Sequence, residues 1–223
     1  MKKIAIYDFD GTITYKDTLP LLLKQWSKMG YSFFRLMTVK PKLYFFYFFY
    51  QIKKNLKMDV TNFKVMATNM FLEIFKNMEQ SQINAFFYAC ADSVDEEYYQ
   101  PLLAQMKKDK KEGYVQYILS GTYDPFIARI CEILNCDYGY ATIIQYKEGR
   151  IDYRIPLNMN MGENKLKTLL ANIDENEVDW KNSKSYADSF SDLEIMMKTG
   201  NPIAVKPDEK LKAYAKAQGW RII

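Results

Sequence analysis

The sequence predicts an α/β protein with a doubly wound parallel sheet and an inserted α-helical segment. Short apolar runs typical of buried strands alternate with helical patterns, which favours a parallel sheet with helical crossovers. One long helical stretch, residues 14–101, interrupts this alternation after the first strand. A chain of 223 residues is long enough for one such core with a sizeable insertion.

Each predicted strand is a short apolar run followed by a turn signal. The predicted strands are residues 2–9, 114–119, 138–145, 185–187, 202–205 and 220–223, with a hairpin at 147–155 around Gly149. The predicted helices that follow the insertion are 125–134, 163–173, 192–198 and 208–218. This order places several strand ends at one edge of the sheet, where open α/β sheets bind their ligands.

The chain contains no histidine, which removes Ser-His-Asp and Cys-His catalysis and histidine-ligated zinc. Any catalysis must use carboxylates, Lys, Ser, Thr, Tyr or Cys, and a metal would be held by oxygen. The cysteines Cys90, Cys131 and Cys136 have no zinc-site spacing and are an odd number, so we expect reduced thiols in a reducing cytoplasm. A net charge of +4 is mild, and no nucleic-acid partner is predicted.

Two carboxylates, Asp8 and Asp10, stand where the first predicted strand ends and a turn begins at Gly11. Together they could bind a hard cation and divide the roles of nucleophile and proton carrier. Attack of a carboxylate on phosphorus is a known covalent strategy. The alternative is a solvated turn, because Asp and Gly favour turns in any case.

Polar residues also follow the second and later strands. Residues 120–122, Ser-Gly-Thr, could form an anion site of hydroxyl and backbone N–H groups, or merely cap the next helix. Lys165 could hold a phosphate, with Lys167 as the competing lysine and a solvated side chain as the alternative. Asp188 and Asp192, four residues apart, could bind Mg²⁺ or cap a helix.

Taken together, these segments resemble the four motifs of the haloacid dehalogenase superfamily, in order. The motifs are residues 8–12, 120–122, Lys165 and 188–192. The resemblance implies a Rossmann-like core of residues 1–13 and 104–223 and a helical cap of residues 14–103. The position of the insertion is similar to the phosphoserine-phosphatase-like branch. That branch usually has Ser in place of Gly11 and Glu in place of Asp17, so this chain departs from it there.

The resemblance also implies roles for individual residues. Asp8 would be the nucleophile, Asp10 the acid and base, and Lys165 the catalytic lysine. Phosphate or substrate would be bound by Thr12, Ser120, Gly121 and Asp17, the last of these meeting a substrate amine. Mg²⁺ would be held by Asp8, the Asp10 carbonyl, Asp188 and Asp192. A carboxylate at Asp10 is typical of the phosphatases of the superfamily, so we expect no dehalogenation.

The predicted function is therefore a Mg²⁺-dependent phosphomonoester hydrolase that forms an aspartyl-phosphate. Its substrate is a small phosphorylated metabolite or a lipid phosphate, and phosphotransfer to another acceptor stays open. The alternative function is a catalytically weak protein that binds a membrane or a partner through its cap. Oligomeric state stays open.

The predicted cap carries an unusual basic and aromatic segment. Residues 24–64 contain nine Lys or Arg, the single acid Asp59 and twelve aromatic residues, seven of which are consecutive at 44–50. A helix cannot bury all seven on one side, so some should be exposed and could contact anionic lipid. The alternative is that they pack the cap core or a dimer interface. No signal peptide or membrane span is expected, and the predicted location is cytoplasmic, with peripheral contact at the inner membrane face.

Overall fold

The structure is a computed structural model that describes residues 1–54 and 60–223, with the side chains of all of these except 46–54 and 60–64. The strands are β1 (Ile4–Asp8), β2 (Val115–Tyr123), β3 (Tyr138–Thr142), β4 (Tyr146–Lys147), β5 (Arg150–Ile151), β6 (Lys184–Ala187), β7 (Asn201–Ala204) and β8 (Arg221–Ile222). The helices are α1 (Thr18–Lys28), α2 (Phe33–Lys54), α3 (Val60–Leu72), α4 (Gln80–Ala91), α5 (Gln100–Lys111), α6 (Asp124–Leu134), α7 (Glu163–Leu170), α8 (Leu193–Lys198) and α9 (Glu209–Gln218).

Six strands form a parallel sheet in the order β3-β2-β1-β6-β7-β8, and β4 and β5 form a separate hairpin. The order of the first strands reverses at β1, which lies between β2 and β6. Helices connect the parallel strands, and α1 to α4 lie between β1 and α5. This confirms the predicted doubly wound sheet with an inserted helical cap, and α1 to α4 are called the cap helices below.

Strand β1 is buried on both faces, and its side chains alternate between two cores. Ala5 and Tyr7 pack with the core that extends into the cap helices. Ile4 and Ile6 pack on the opposite face, with Leu169 of α7. Asp8 has the same parity as Ile4 and Ile6, so β1 directs it towards the α7 side of the sheet.

Aromatic residues fill the centre of the cap helices and join them to the sheet. Trp26, Phe75 and Phe86 pack with ring centres 5.2–5.5 Å apart. Phe87 lies 4.9 Å from the ring of Tyr123, the last residue of β2. The cap therefore rests on the carboxyl end of β2, next to the edge where ligands are expected.

Two strand ends of the sheet differ from their predicted positions by three or more residues, for identifiable reasons. Strand β2 continues past Leu119 because Tyr123 pairs with Thr142 of β3. Strand β3 ends at Thr142 instead of 145 because the Ile144 N–H donates to the Asp124 carboxylate (2.9 Å) and leaves the sheet. The predicted boundaries between core and cap, after residue 13 and before residue 104, stay a prediction.

The outer side of α2 carries the first residues of the aromatic run. Tyr44 and Phe45 are exposed, as expected for part of the run, whereas the side chains of 46–50 lie outside the described ones. Among the described residues, no helix is long and apolar enough to cross a bilayer.

A buried carboxylate on α5, that of Asp109, connects side chains of the neighbouring strands β1 and β6. Asp109 accepts hydrogen bonds from the hydroxyls of Tyr7 (2.6 Å) and Tyr186 (2.7 Å), from Lys184 Nζ (2.6 Å) and from Gln105 Nε2 (2.9 Å). Burial, and then the charge of Asp109, raises the pKa of Tyr7 well above its usual value, so its hydroxyl remains a donor. The network joins β1 and β6 one and two residues before Asp8 and Asp188.

We expect Asp109→Ala to lower the free energy of unfolding by about 3–5 kcal/mol, because it leaves two buried hydroxyls without their acceptor and Lys184 with Glu112 as its remaining carboxylate partner. Urea unfolding measures this change. The matched control is Glu96→Ala at an exposed carboxylate, which should change stability by less than about 0.5 kcal/mol. Equal effects of the two substitutions would contradict a structural role for the network.

Candidate active site

The site begins at the carboxyl end of β1. Asp8 is buried, and its Oδ1 lies 2.5 Å from Lys165 Nζ while its Oδ2 accepts from the Thr12 hydroxyl at 3.0 Å. Lys165 is itself buried, in the first turn of α7. Lys167 is instead exposed and pairs with Glu163 (2.6 Å), so the structure brings Lys165 and not Lys167 to the site.

Two further carboxylates join Asp8. One oxygen from each of Asp8, Asp188 and Asp192 lies within 4.8 Å of the others. Asp188 follows β6, and Asp192 is the last residue of a short 3-10 turn that leads into α8. The neighbouring strands β1 and β6 pair in parallel, which places their carboxyl ends side by side.

The three carboxylates are only partly balanced by one ammonium. Lys165 Nζ lies 2.8 Å from Asp192 Oδ1 as well as contacting Asp8. Burial alone would lower the pKa of Lys165, but the charges of Asp192 and Asp8 outweigh it and raise the pKa, so the lysine is protonated. Burial, and then repulsion by Asp8 and Asp192, raises the pKa of Asp188 to about 8.

A hard cation fits this donor set. Mg²⁺ is bound through oxygen and by one or two carboxylates with the substrate phosphate and water, and the excess of negative charge here is what a divalent cation would offset. Gly11 has a φ of +80°, and a Cβ on it would lie 2.8 Å from Asp188 Cγ, so a side chain there would intrude on this group. Asp8, Asp188 and Asp192 are the residues that could hold the ion.

Asp10 points elsewhere. One carboxylate oxygen accepts from the Thr18 N–H (2.5 Å) and from the Thr18 hydroxyl, at the start of α1. The other lies 3.5 Å from the Ser120 hydroxyl. Its side chain is therefore outside the carboxylate cluster, and the predicted contribution of its backbone carbonyl to the metal stays a prediction. Thr18 was missed by the sequence reasoning, although it begins the first helix after the motif.

Ser120 and Gly121 lie where the pairing of β2 with β3 is distorted. The five residues of β2 from Leu119 to Tyr123 oppose only the three residues of β3 from Tyr140 to Thr142, so the pairing is irregular there. Ser120 is buried, and its oxygen accepts from the Thr122 N–H at 3.1 Å. A Cβ on Gly121 would lie inside contact distance of the Met161 side chain, so a larger residue here would require that side chain to move.

Asp17 lies apart from these groups. It is exposed and lines a cavity of about 140 Å³, together with Lys16, Lys24 and Glu97. Thr18, which holds Asp10, also lines this cavity. The structure thus brings Asp8, Thr12, Lys165, Asp188 and Asp192 into direct contact, with Asp10 and Ser120 beside them and Asp17 at the neighbouring cavity.

The fold and this arrangement define an α/β protein with a carboxylate and lysine site at the carboxyl edge of its sheet. The family model of the haloacid dehalogenase-like hydrolases matches residues 5–197. The chain belongs to this family, which confirms the superfamily resemblance. No curated protein sequence matches the chain.

Solved structures share the fold at low identity. A protein of unknown function from Bordetella pertussis Tohama I has a TM-score of 0.78 and 17% identity, with 100% of this chain and 98% of that chain covered. A haloacid dehalogenase family hydrolase from Salmonella enterica serovar Typhi has a TM-score of 0.67 and 18% identity, covering 99% and 66%. A phospho-aspartyl intermediate analogue of phosphoserine phosphatase has a TM-score of 0.61 and 16% identity, covering 99% and 92%. Family and fold together support the predicted phosphatase activity.

We expect Mg²⁺ to raise the midpoint of thermal unfolding, because it binds the carboxylate cluster of the folded state. At a Mg²⁺ concentration of 100 Kd, this binding stabilises the folded state by about 2.7 kcal/mol. Differential scanning calorimetry with and without Mg²⁺ measures the shift. Asp188→Asn should abolish it, whereas Asp95→Asn, at an exposed carboxylate, should keep it. A full shift in Asp188→Asn would contradict this metal site.

Proposed function

We propose that the protein is a Mg²⁺-dependent phosphomonoester hydrolase that forms a phosphoenzyme on Asp8. One observation carries the proposal: the buried Asp8 carboxylate contacts Lys165 and stands within 4.8 Å of the Asp188 and Asp192 carboxylates. A nucleophilic carboxylate surrounded by a lysine and a cation site is suited to an electrophile that carries several negative oxygens.

In the first step, a carboxylate oxygen of Asp8 attacks phosphorus. The new bond joins Asp8 to phosphorus, and the bond from phosphorus to the ester oxygen breaks. Asp10 donates a proton to that leaving oxygen, so an alcohol departs. The Ser120 hydroxyl lies 3.5 Å from Asp10 and supports binding of a phosphate oxygen next to the proton donor.

In the second step, water replaces Asp8 on phosphorus. Asp10, now a carboxylate, removes a proton from the attacking water, and the bond between phosphorus and Asp8 breaks. Inorganic phosphate leaves and Asp8 is regenerated. Asp192 and Asp8 raise the pKa of Lys165, so the lysine is charged when the first step begins. Asp192 and the bound phosphate are its anionic partners while Asp8 is phosphorylated, so Lys165 can stabilise the negative phosphate oxygens in both steps.

A bound Mg²⁺ would supply further neutralisation of the phosphate charge. Asp8, Asp188 and Asp192 would hold it, with the Asp10 carbonyl as the remaining predicted ligand. The Thr12 hydroxyl lies 3.0 Å from Asp8 Oδ2 and 3.1 Å from Asp188 Oδ1. It therefore fixes the relative orientation of these two carboxylates, and Thr12 serves the site through them.

The substrate that the neighbouring cavity favours is a small phosphorylated metabolite with charged groups. The cavity of about 140 Å³ is well below the roughly 300–1,000 Å³ typical of sites for drug-sized ligands. Charges of both signs surround it, with Lys16 and Glu97 paired at 3.0 Å and Lys24 and Asp17 beside them. Asp17 would meet a cationic group of such a substrate.

A lipid phosphate and a purely binding function are the competing possibilities. The cavity is lined by apolar side chains (Phe9, Pro20, Leu21 and Val94) as well as by charged ones. Its small volume of about 140 Å³, rather than the polarity of its lining, favours a small substrate over an acyl chain. A protein that only binds a partner has no need for a lysine buried between two carboxylates, because burying such charges costs free energy. The products of the assay distinguish hydrolysis from phosphotransfer. The panel of substrates identifies the substrate class.

We expect Mg²⁺-dependent release of phosphate from at least one member of a panel of phosphoserine, sugar phosphates, nucleotides and micellar phosphatidylglycerophosphate. Asp8→Asn should lower kcat by at least about 10³-fold, since the nucleophile is lost. Asp10→Asn should lower it by about 10²–10⁴-fold. Asp95→Asn is the control and should retain full activity. Wild-type turnover by Asp8→Asn would refute the mechanism.

We expect Thr18→Val to lower kcat by roughly tenfold, because losing one hydrogen bond to a charged group costs about 1.5 kcal/mol. The fold should be unaffected, as measured by thermal unfolding. Thr38→Val, at an exposed threonine of α2 whose hydroxyl donates to the Arg35 carbonyl (2.7 Å), is the matched control. Unchanged kcat in Thr18→Val would show that Asp10 does not need the hydrogen bond from the Thr18 hydroxyl.

A further inference from the structure

An exposed stripe of apolar side chains runs along α2, away from the active site. Phe33, Phe34, Tyr44 and Phe45 are 64%, 83%, 64% and 60% exposed, and Met37 is partly exposed between them. Their offsets from Phe33, of 1, 4, 11 and 12 residues, lie within about 120° on a helix of 3.6 residues per turn. They form one face about 18 Å long, called the α2 stripe below.

The opposite side of α2 is already used by the core. Leu36, Val39 and Leu43 are buried and pack with the aromatic centre of the cap. The orientation of the helix is therefore fixed, and the α2 stripe faces outward because of the packing beneath it. Exposed aromatic residues at both ends of one helix face, with Met37 and Pro41 between them, are typical of an interaction surface rather than of scattered exposed residues.

The sequence of the segment that carries the α2 stripe is basic. Residues 18–58 contain eight Lys or Arg and no acidic residue, and Arg35, Lys40 and Lys42 are those on the part of α2 whose side chains the structure describes. Lys40 Nζ lies 5.8 Å from the ring centre of Tyr44, at the border of the stripe. Lys28 is exposed, and Lys42 pairs with Glu73 (2.6 Å) with both side chains about half exposed, which leaves that pair weak and open to exchange.

We propose that the α2 stripe docks on an anionic lipid bilayer. Aromatic side chains would enter the headgroup region while the lysines meet negative lipid headgroups, as in interfacial amphipathic helices. A second copy of the chain is disfavoured, because a two-fold contact would bring this basic segment against itself. The contact is peripheral, and none of the residues of the stripe belongs to the active site, so docking is independent of the proposed activity.

Flotation with unilamellar vesicles tests the proposal. The wild-type protein should float with vesicles of mixed phosphatidylglycerol and phosphatidylcholine at low salt, and much less with phosphatidylcholine alone or at high salt. The double variant Phe34→Ser, Phe45→Ser should bind at least about tenfold more weakly. Lys28→Gln with Lys40→Gln should lose about fivefold for each charge removed.

Controls keep the test decisive. Tyr138→Ser with Met197→Ser removes two exposed apolar side chains from β3 and α8 and should leave vesicle binding unchanged. All variants should keep the wild-type unfolding midpoint and hydrolysis of a soluble phosphomonoester. Absence of wild-type flotation at low salt, or undiminished flotation of the phenylalanine variant, overturns the proposal. Dimerisation without flotation, measured by light scattering and lost in that variant, would assign the stripe to a second copy instead.

Discussion

Like charges repel each other when they are buried, and this chain holds the carboxylates of Asp8, Asp188 and Asp192 within 4.8 Å of one another. A single ammonium, that of Lys165, contacts two of the three. The arrangement persists because each carboxylate is attached to an element that the hydrophobic cores fix in place, namely β1 and the segments after β6. The stability of the rest of the fold thus offsets the repulsion among these carboxylates. A ligand that brings positive charge to the site would relieve that repulsion.

Consecutive residues of β1 serve two different purposes because side chains alternate between the faces of a strand. Asp8 points to the α7 side and meets Lys165. Tyr7 points to the other side, where its hydroxyl reaches Asp109 and its ring stacks on Tyr186, with ring centres 4.7 Å apart. The buried carboxylate of Asp109 therefore fixes the spacing of β1 and β6 on one face, and the other face uses that spacing to bring Asp8 and Asp188 together.

The elements that could be predicted from the sequence are those in which local pattern and tertiary packing agree. The apolar run before Asp8 and the alternation of strands and helices predicted the sheet and the edge at which Asp8, Ser120 and Asp188 meet. Asp109 could not be predicted, because its partner Tyr7 is 102 residues away. Thr18 is near Asp10 in sequence, but its contact depends on how the intervening turn folds back on that carboxylate, which the sequence pattern does not show. The choice between Lys165 and Lys167 likewise depended on which side of α7 faces Asp8. The spacing from Gly162 favoured Lys165, but spacing alone could not decide how the helix packs.

The start of α1 links the cap to the proton carrier. Thr18 donates its N–H and its hydroxyl to the same oxygen of Asp10, which leaves the other oxygen facing Ser120. Thr18 also lines the charged cavity beside Asp17. A substrate that fills this cavity would contact the residue that aims Asp10, so binding of the organic part and proton transfer to the leaving oxygen depend on one helix terminus. Binding energy raises kcat only when it is expressed in the transition state. The nucleophile and the candidate cation ligands all come from the edge of the sheet. The start of α1 adds a contact that can link substrate binding to proton transfer, which is a physical reason for a cap helix to complete the site.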